Sequence, residues 1–377
     1  MKINCFHLDK VDNCVGFSLN TAGDGEMLRV LTKAALTSDE NDFYTFIEQL
    51  SAQYFSKIRV SPNNVYQFLI LIHADLSADL YINNIHLLLE ILPTRALGKG
   101  ELVTYKDIAD IIKLKIIDIE INDTDKFILC TKIGWKFVLF FDLDRSNKLN
   151  IDKIWITLGD LYRYLSFQYI YKLLESEKYF DEMAKDGWFP FIELIGGEEY
   201  KLLSEAYKNK RFHAITADSV IKKFDDDRMK KITDRWWNKD VFCEKKTILM
   251  AGINAFLRGD DEGNITSIKT LLPEIEGIIR IQYFSETAKG KNVDINYLLK
   301  YIVEKGKAKF GSDNSLLFPL KFFNFLRNEI FAGFDLRKGN IRLTRHSSSH
   351  GVVKAEDYTK MKALQMILVL DQLSFYL

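Results

Sequence analysis

WKFVLFFDLDRSNK, residues 135–148, is the stretch at which the chain changes character. Its first half is a short run of Val, Phe and Leu, the side chains that fit a pleated, half-buried surface; its second half is a charged turn, after which the strand signal stops. Working back from it, KFILCTKI, LKIIDIEI and YINNIHLLLEIL have the same Ile-rich character and are separated by turn formers such as NDTD. Gly134, between Ile133 and Trp135, marks a tight hairpin or bulge between the last two runs. A small antiparallel sheet follows. Further upstream, EMLRVLTKAAL and DFYTFIEQLSAQYF space apolar residues three and four apart and predict two amphipathic helices separated by TSDEN.

Working forward, LGDLYRYLSFQYIYKLLESEKYF carries an apolar stripe at helical spacing, and DGWFPFIELIGGEEY interrupts it with Gly187, Pro190 and the Gly196–Gly197 pair, which marks a junction. From residue 216 each long segment has helical periodicity: TADSVIKKFDDDRMKKITDRWW, CEKKTILMAGINAFLRG, SIKTLLPEIEGIIRIQYF, DINYLLKYIVEKGKAKF, LLFPLKFFNFLRNEIFAGF and AEDYTKMKALQMILVLDQLSFYL. Short loops between consecutive helices predict an up-and-down bundle. The expected fold class is α+β: a sheet domain with helices over 1–158, a helical connector over 159–215 and an all-α bundle over 216–377.

Composition excludes several function classes. With 377 residues, 47% of them hydrophobic, there is ample material for packed cores. The 52 basic and 52 acidic residues cancel, so no global field draws the chain onto a polyanion and any nucleic-acid contact must be a local patch. Cys5, Cys14, Cys130 and Cys243 form no CxxC pair, which points to buried free thiols rather than a disulfide framework or a zinc knuckle. The start, MKINCFHLDKVDN, lacks the pattern of a secretory signal, and no apolar stretch approaches the roughly 20 residues that span a bilayer, so a cytoplasmic chain without a membrane partner is expected. Neither GxxxxGK nor GxSxG occurs, and the carboxylates of FDLD and KFDDDR read as solvated.

The chemistry concentrates in RHSSSHG, residues 345–351, between the turn RKGN and the last helix. The serines suit capping of exposed backbone N–H groups. His346 and His350 lie one helical turn apart, a spacing suited to zinc, but a zinc hydrolase needs a third ligand and, in an HExxH site, a glutamate where Ser347 stands. Metal-free RNA cleavage needs a base for the 2′-hydroxyl, an acid for the leaving oxygen and a cation on the phosphate. Histidine, with an ordinary pKa of about 6.5, and arginine, with its planar fork, suit those roles. Arg345 and His350 from each of two chains would surround one phosphate, so activity is expected to depend on dimerisation. From Leu336 to Lys362 the seven basic residues, Arg337, Lys338, Arg342, Arg345, Lys354, Lys360 and Lys362, outnumber Glu356 and Asp357, a local net charge of +5.

An arginine followed after four residues by a histidine, just before the final helix of a bundle, resembles the RX4-6H motif of the HEPN superfamily. The end of the chain is similar to prokaryotic HEPN-like proteins that carry NRHxxxHG there, and LLPEIEGIIR resembles their Pro-x-x-Glu helix. DGWFPFIELIGGEEY and GWKFVLFFDLD are similar to segments that precede such domains. Thr344 stands where those relatives have Asn. The resemblance covers residues 265–377. It implies a dimeric bundle that cleaves RNA without a metal or other cofactor, as a toxin or antiviral-defence effector, with an antitoxin or defence-system protein as a possible partner; some members only bind RNA or scaffold other proteins. It assigns Arg345 and His350 as the catalytic pair, with His346 in support, and Thr344 can still hydrogen-bond where the relatives have Asn. Independently of the resemblance, Glu276 and Arg280 lie four apart on a helix and are expected to pair, either as an exposed surface pair or, if buried beside the motif, in a supporting role with Glu276 orienting Arg345 or a histidine. Arg337, Lys338, Arg342 and Lys354 are the expected RNA contacts.

Overall fold

The computed structural model describes residues 5–58, 60–210, 213–287, 293–310, 314–338 and 341–377. The chain divides into two compact units, Met1–Glu90 with Ile112–Phe167, and Ile91–Ile111 with Gln168–Leu377. Among the described residues no helix is long and apolar enough to cross a membrane.

The strands are β1 (Cys5–Leu8), β2 (Phe17–Ser18), β3 (Val30–Leu31), β4 (Lys33–Thr37), β5 (Phe68–Ile72), β6 (Ala78–Ile82), β7 (His86–Pro93), β8 (Ile108–Ile117), β9 (Lys126–Ile133) and β10 (Lys136–Asp142). Six form one sheet in the order β1-β6-β5-β9-β10-β4, antiparallel at each pairing. As expected, β9 and β10 are a hairpin turned at Gly134, whose φ of 60° is a conformation that glycine adopts without strain.

The sheet is buried on both faces. Phe68, Ile70, Ile72, Ile128, Cys130, Leu139 and Phe141 point into a core with Phe43, Phe46 and Leu50 of the helix Asn41–Leu50. The alternate residues Leu69, Leu71, Phe127, Leu129, Val138 and Phe140 pack with Ile154, Trp155 and Leu158 of the helix Ile151–Ser166. Central strand β5, FLILI, went unread because a strand buried on both sides is a continuous apolar run with no alternation to betray it.

Several expectations are corrected. EMLRVLTKAAL is not a helix: it holds β3 and β4, with β4 laid antiparallel on β10, and Leu36 is buried while Lys33 and Ala35 face out. Pairing on a sheet edge overrides the helical spacing of its apolar residues. The helix Ile151–Ser166 belongs with the sheet because its apolar stripe is part of that core, so the first unit runs to Phe167 rather than to 158. Residues 159–215 are not a separate connector either: Trp188, Phe189 and Phe191 are fully buried, and Phe189 packs against Phe322 and Phe325 within the second unit. Of the cysteines only Cys130 is buried; Cys5 and Cys243 are exposed and Cys14 is half-buried, all four as free thiols.

The second unit is built around the last helix, Lys360–Tyr376. Every residue from Ala363 to Ser374 is buried, which requires cover on all sides. The helices Asp261–Thr287, Ile295–Phe310, Lys246–Arg258, His213–Ile221 and Asp226–Trp236 supply it. The expected single helix over TADSVIKKFDDDRMKKITDRWW breaks in two at Asp225, whose carboxylate accepts the Arg228 N–H at 2.9 Å as an N-cap. Two polar groups on the buried helix are matched: Arg235 donates two hydrogen bonds to Asp371, at 2.7 and 2.6 Å, and Gln372 accepts from the Ile192 N–H at 2.9 Å. From Ala363 to Ser374 this helix has no exposed face.

Candidate functional site

RHSSS, Arg345–Ser349, is a short helix held at both ends by its own sequence. Thr344 is its N-cap, in extended conformation: its Oγ1 accepts the Ser347 N–H at 3.2 Å while Ser347 Oγ accepts the Thr344 N–H at 2.8 Å. Thr344 thus fills the cap position without the amide of an asparagine. Ser347 also donates to the Arg342 carbonyl at 2.7 Å, and the Ser348 hydroxyl lies 3.2 Å from that of Tyr358. Both serines are buried, so capping and anchorage use these hydroxyls. At the other end Gly351, with φ of 68°, lets its N–H reach the Ser348 carbonyl and the Val352 N–H reach that of Ser347. That pair of bonds is the Schellman stop, and it explains why glycine follows His350.

The Pro-x-x-Glu segment lies in the helix Asp261–Thr287, with Pro273 inside it. Glu276, one turn on, stands between two arginines. Arg280 Nε donates to its Oε1 at 2.7 Å, and Arg345 Nε lies 2.9 Å from its Oε2, an ion pair out of line for a hydrogen bond. The Glu276 side chain is 13% exposed and that of Arg345 34%, so the carboxylate is sheltered while part of the guanidinium reaches the surface. Among the described residues no hydrogen bond engages the two terminal amino groups of Arg345, leaving the bidentate edge free for a phosphate. Arg280 is held a second time by donating to the Val293 carbonyl at 2.8 Å.

His346 is half-buried, and His350, the C-cap, is exposed with its ring 5.5 Å from that of Phe334. Arg345 and His350 are five positions apart, which is about 140° around a helix at 3.6 residues per turn. Within one chain they therefore face different ways: Arg345 toward Glu276, His350 toward Phe334. Lys269, which sequence reasoning missed, donates to the Ser348 carbonyl at 3.4 Å and sits 5.4 Å over the Tyr358 ring. Its position on the Pro-x-x-Glu helix, seven residues before Glu276, was the only available signal.

The expected RNA-contact residues are less free than their spacing suggests. Arg337 is 91% exposed but held by Asp335 at 3.0 Å, Lys354 pairs with Glu356 at 3.4 Å, and Arg342 pairs with Glu329. Lys338 ends the turn Leu336–Lys338, and its side chain lies outside the described residues. The local charge of +5 is thus reduced by Glu276, Glu329 and Asp335, all of which precede the counted window. For the zinc alternative, no three His, Cys, Asp or Glu residues come together as a metal site among the described residues. Comparison with protein-family models, with curated proteins and with solved structures finds no match to this chain.

Proposed function

We propose that the second unit is a HEPN-like, metal-independent endoribonuclease that acts as a dimer, as a toxin or defence effector. The observation that carries this reading is the Glu276 bridge: a sheltered carboxylate presents a half-exposed arginine five residues before an exposed histidine. In the proposed reaction the 2′-hydroxyl attacks the neighbouring phosphorus, the bond to the 5′-oxygen breaks, and a 2′,3′-cyclic phosphate results. His350 takes or returns a proton, and Arg345 neutralises charge on the phosphate oxygens. Because Arg345 and His350 diverge within a chain, a second copy supplies the opposing set. In this reading the second copy meets the surface that carries Arg345 and His350.

The test is incubation of the purified chain with RNA in the presence of a chelator, followed by analysis of product ends. Cyclic-phosphate products that disappear in both Arg345→Ala and His350→Ala support the roles; cleavage that persists in them, or that requires a divalent metal, overturns the roles.

A second reading, a non-catalytic module that binds RNA or a protein partner, is favoured by the same ion pair if its purpose is to hold the short helix on the helix Asp261–Thr287. It is separated by melting temperature: a purely structural Arg345 lowers it when replaced and changes no RNA product.

A further inference from the structure

A cavity of about 250 Å³ opens in the second unit immediately before the short helix, with Thr344 in its lining. Its charged groups are of both signs: Lys185, Arg342 and Lys362 stand against Asp186, Glu329 and Asp357, three cations to three carboxylates. The lining therefore has no net charge. Internal pairing engages part of this set, since Arg342 is matched by Glu329 and donates to the Lys185 carbonyl at 3.0 Å, and Asp186 accepts from the Tyr207 hydroxyl. Three groups keep unused capacity. Lys362 donates to the Asp186 carbonyl at 3.0 Å, which uses one of the three N–H donors of an ammonium. Gln365, fully buried, donates through Nε2 to the same carbonyl at 2.8 Å, while its Oε1 has no hydrogen-bond partner. Among the described residues no hydrogen bond or ion pair engages the Asp357 carboxylate.

Because Lys362 and Gln365 bond one carbonyl, a spare donor and a spare acceptor lie side by side, within reach of a single small ligand. Burial pushes the Lys362 amine down to about 8, so it still carries its proton at neutral pH. Gly187 leaves the room beside them: its φ is 92°, and a Cβ there would lie 2.0 Å from Gln365 Oε1. Part of the wall is apolar, formed by Leu272, Phe325, Ile330 and Met366, all buried. Pockets for drug-sized ligands run from about 300 Å³ upward, so this one takes something smaller.

Each simpler ligand leaves something unmatched. A hydrocarbon strands the Lys362 N–H groups, the Gln365 oxygen and Asp357; an inorganic anion meets three carboxylates and leaves the apolar wall unfilled; an amine without an acid group leaves Lys362 unused. A zwitterion with an apolar body matches them all. We propose that this cavity binds a free α-amino acid with an aliphatic side chain, its carboxylate on Lys362, its ammonium on Gln365 Oε1 and Asp357, and its side chain against Leu272, Phe325 and Met366. In such a molecule the two charged groups are borne by adjacent carbons, as a donor and an acceptor on one carbonyl require. Thr344, the cap of the short helix, lines the same cavity, so the ligand sits against the support of RHSSSHG. The inference does not rest on the ribonuclease reading.

The experiment is calorimetry on the full chain with L-leucine and L-methionine, and with four probes that each lack one feature: glycine, 4-methylpentanoate, leucinamide and inorganic phosphate. The expected result is binding of at least one of the two amino acids, with every probe weaker by about tenfold or more, the scale of one charge-assisted hydrogen bond. Lys362→Met should weaken the amino acid by a similar factor and leave leucinamide, which has no carboxylate, unchanged. Asp357→Asn should weaken the amino acid and leave 4-methylpentanoate, which has no ammonium, unchanged. A general loss of structure would lower all ligands together, so this crossed pattern separates recognition from folding. Binding of neither amino acid, equal affinity for glycine or phosphate, or full affinity in both variants overturns the proposal. RNA cleavage is scored separately. Cleavage without amino-acid binding ends this inference and leaves the ribonuclease reading standing; amino-acid binding without cleavage does the reverse.

Discussion

Histidine is used in opposite ways in the two units. In the first, His73 lies between two carboxylates, its Nδ1 donating to Asp125 Oδ1 at 2.9 Å and its Nε2 3.3 Å from Asp79 Oδ2, while His7 holds the other Asp79 oxygen at 2.7 Å. Asp125, with a side chain 1% exposed, also accepts the Asn122 N–H at 2.8 Å. In the second, His350 is exposed at the end of a short helix and touches an aromatic ring. An imidazole with both nitrogens engaged by carboxylates is a fastener, whereas one with its nitrogens facing solvent can exchange protons with a ligand. Two histidines in one chain thus serve stability and candidate chemistry, and their neighbours decide which.

The sharpest way to break this contrast is to exchange the readouts. Replacing His350 or Arg345 by alanine is expected to lower RNA cleavage by about 100-fold or more, the usual scale for losing a general acid–base or phosphate-binding group, and to shift unfolding free energy by less than about 0.5 kcal/mol for His350. Denaturant titration alongside an RNA-cleavage time course checks both halves. His73→Ala should do the reverse, costing about 3 kcal/mol because it leaves the buried Asp125 carboxylate without its ionic partner, and leaving cleavage per folded molecule unchanged. A stable His73→Ala protein would remove the distinction between the sites.

Glu276→Gln should have a smaller effect, roughly tenfold on kcat with RNA affinity little altered, since the amide keeps the shape but not the charge that aims Arg345, and a tenfold effect corresponds to about 1.4 kcal/mol. Single-turnover kinetics separate the two parameters.

The gentlest probe is pH. Burial alone would depress the His73 pKa, but its hydrogen bonds to Asp125 and Asp79 outweigh that and hold it above the ordinary histidine value. The folded state then keeps a proton that the unfolded chain releases. The stabilisation is fully present below the ordinary pKa, about 6.5, and is lost as pH rises through the raised value. Lys362 behaves oppositely: with a folded value of about 8 against an ordinary lysine near 10.4, its contribution makes the protein more stable as pH rises between them. Thermal melts of His73→Asn and Lys362→Met across pH 5 to 10.5 should each flatten one part of the unmodified profile.

Legibility followed how local the cause was. β9, β10 and their Gly134 turn could be read because neighbouring residues pair with each other. The caps of the short helix were partly legible, since Thr344, Ser347 and Gly351 act within seven positions. Residues 26–36 misled because helical spacing of apolar residues also occurs in an edge strand, and only its β10 partner, about a hundred residues on, distinguishes the two. The last helix was recognised as a helix, but its run of apolar residues, ALQMILVL, signalled complete burial that a bundle expectation ignored.

The linear order of residues determined where helices end, which serines cap RHSSSHG and which charges sit near it along the chain. Only the tertiary structure decided that Glu276 faces Arg345, that Glu329 neutralises Arg342 and that Lys362 donates to the Asp186 carbonyl. The reason is range: capping and periodicity are set by backbone geometry over a few residues, whereas ion pairing depends on distances that the path of the chain creates.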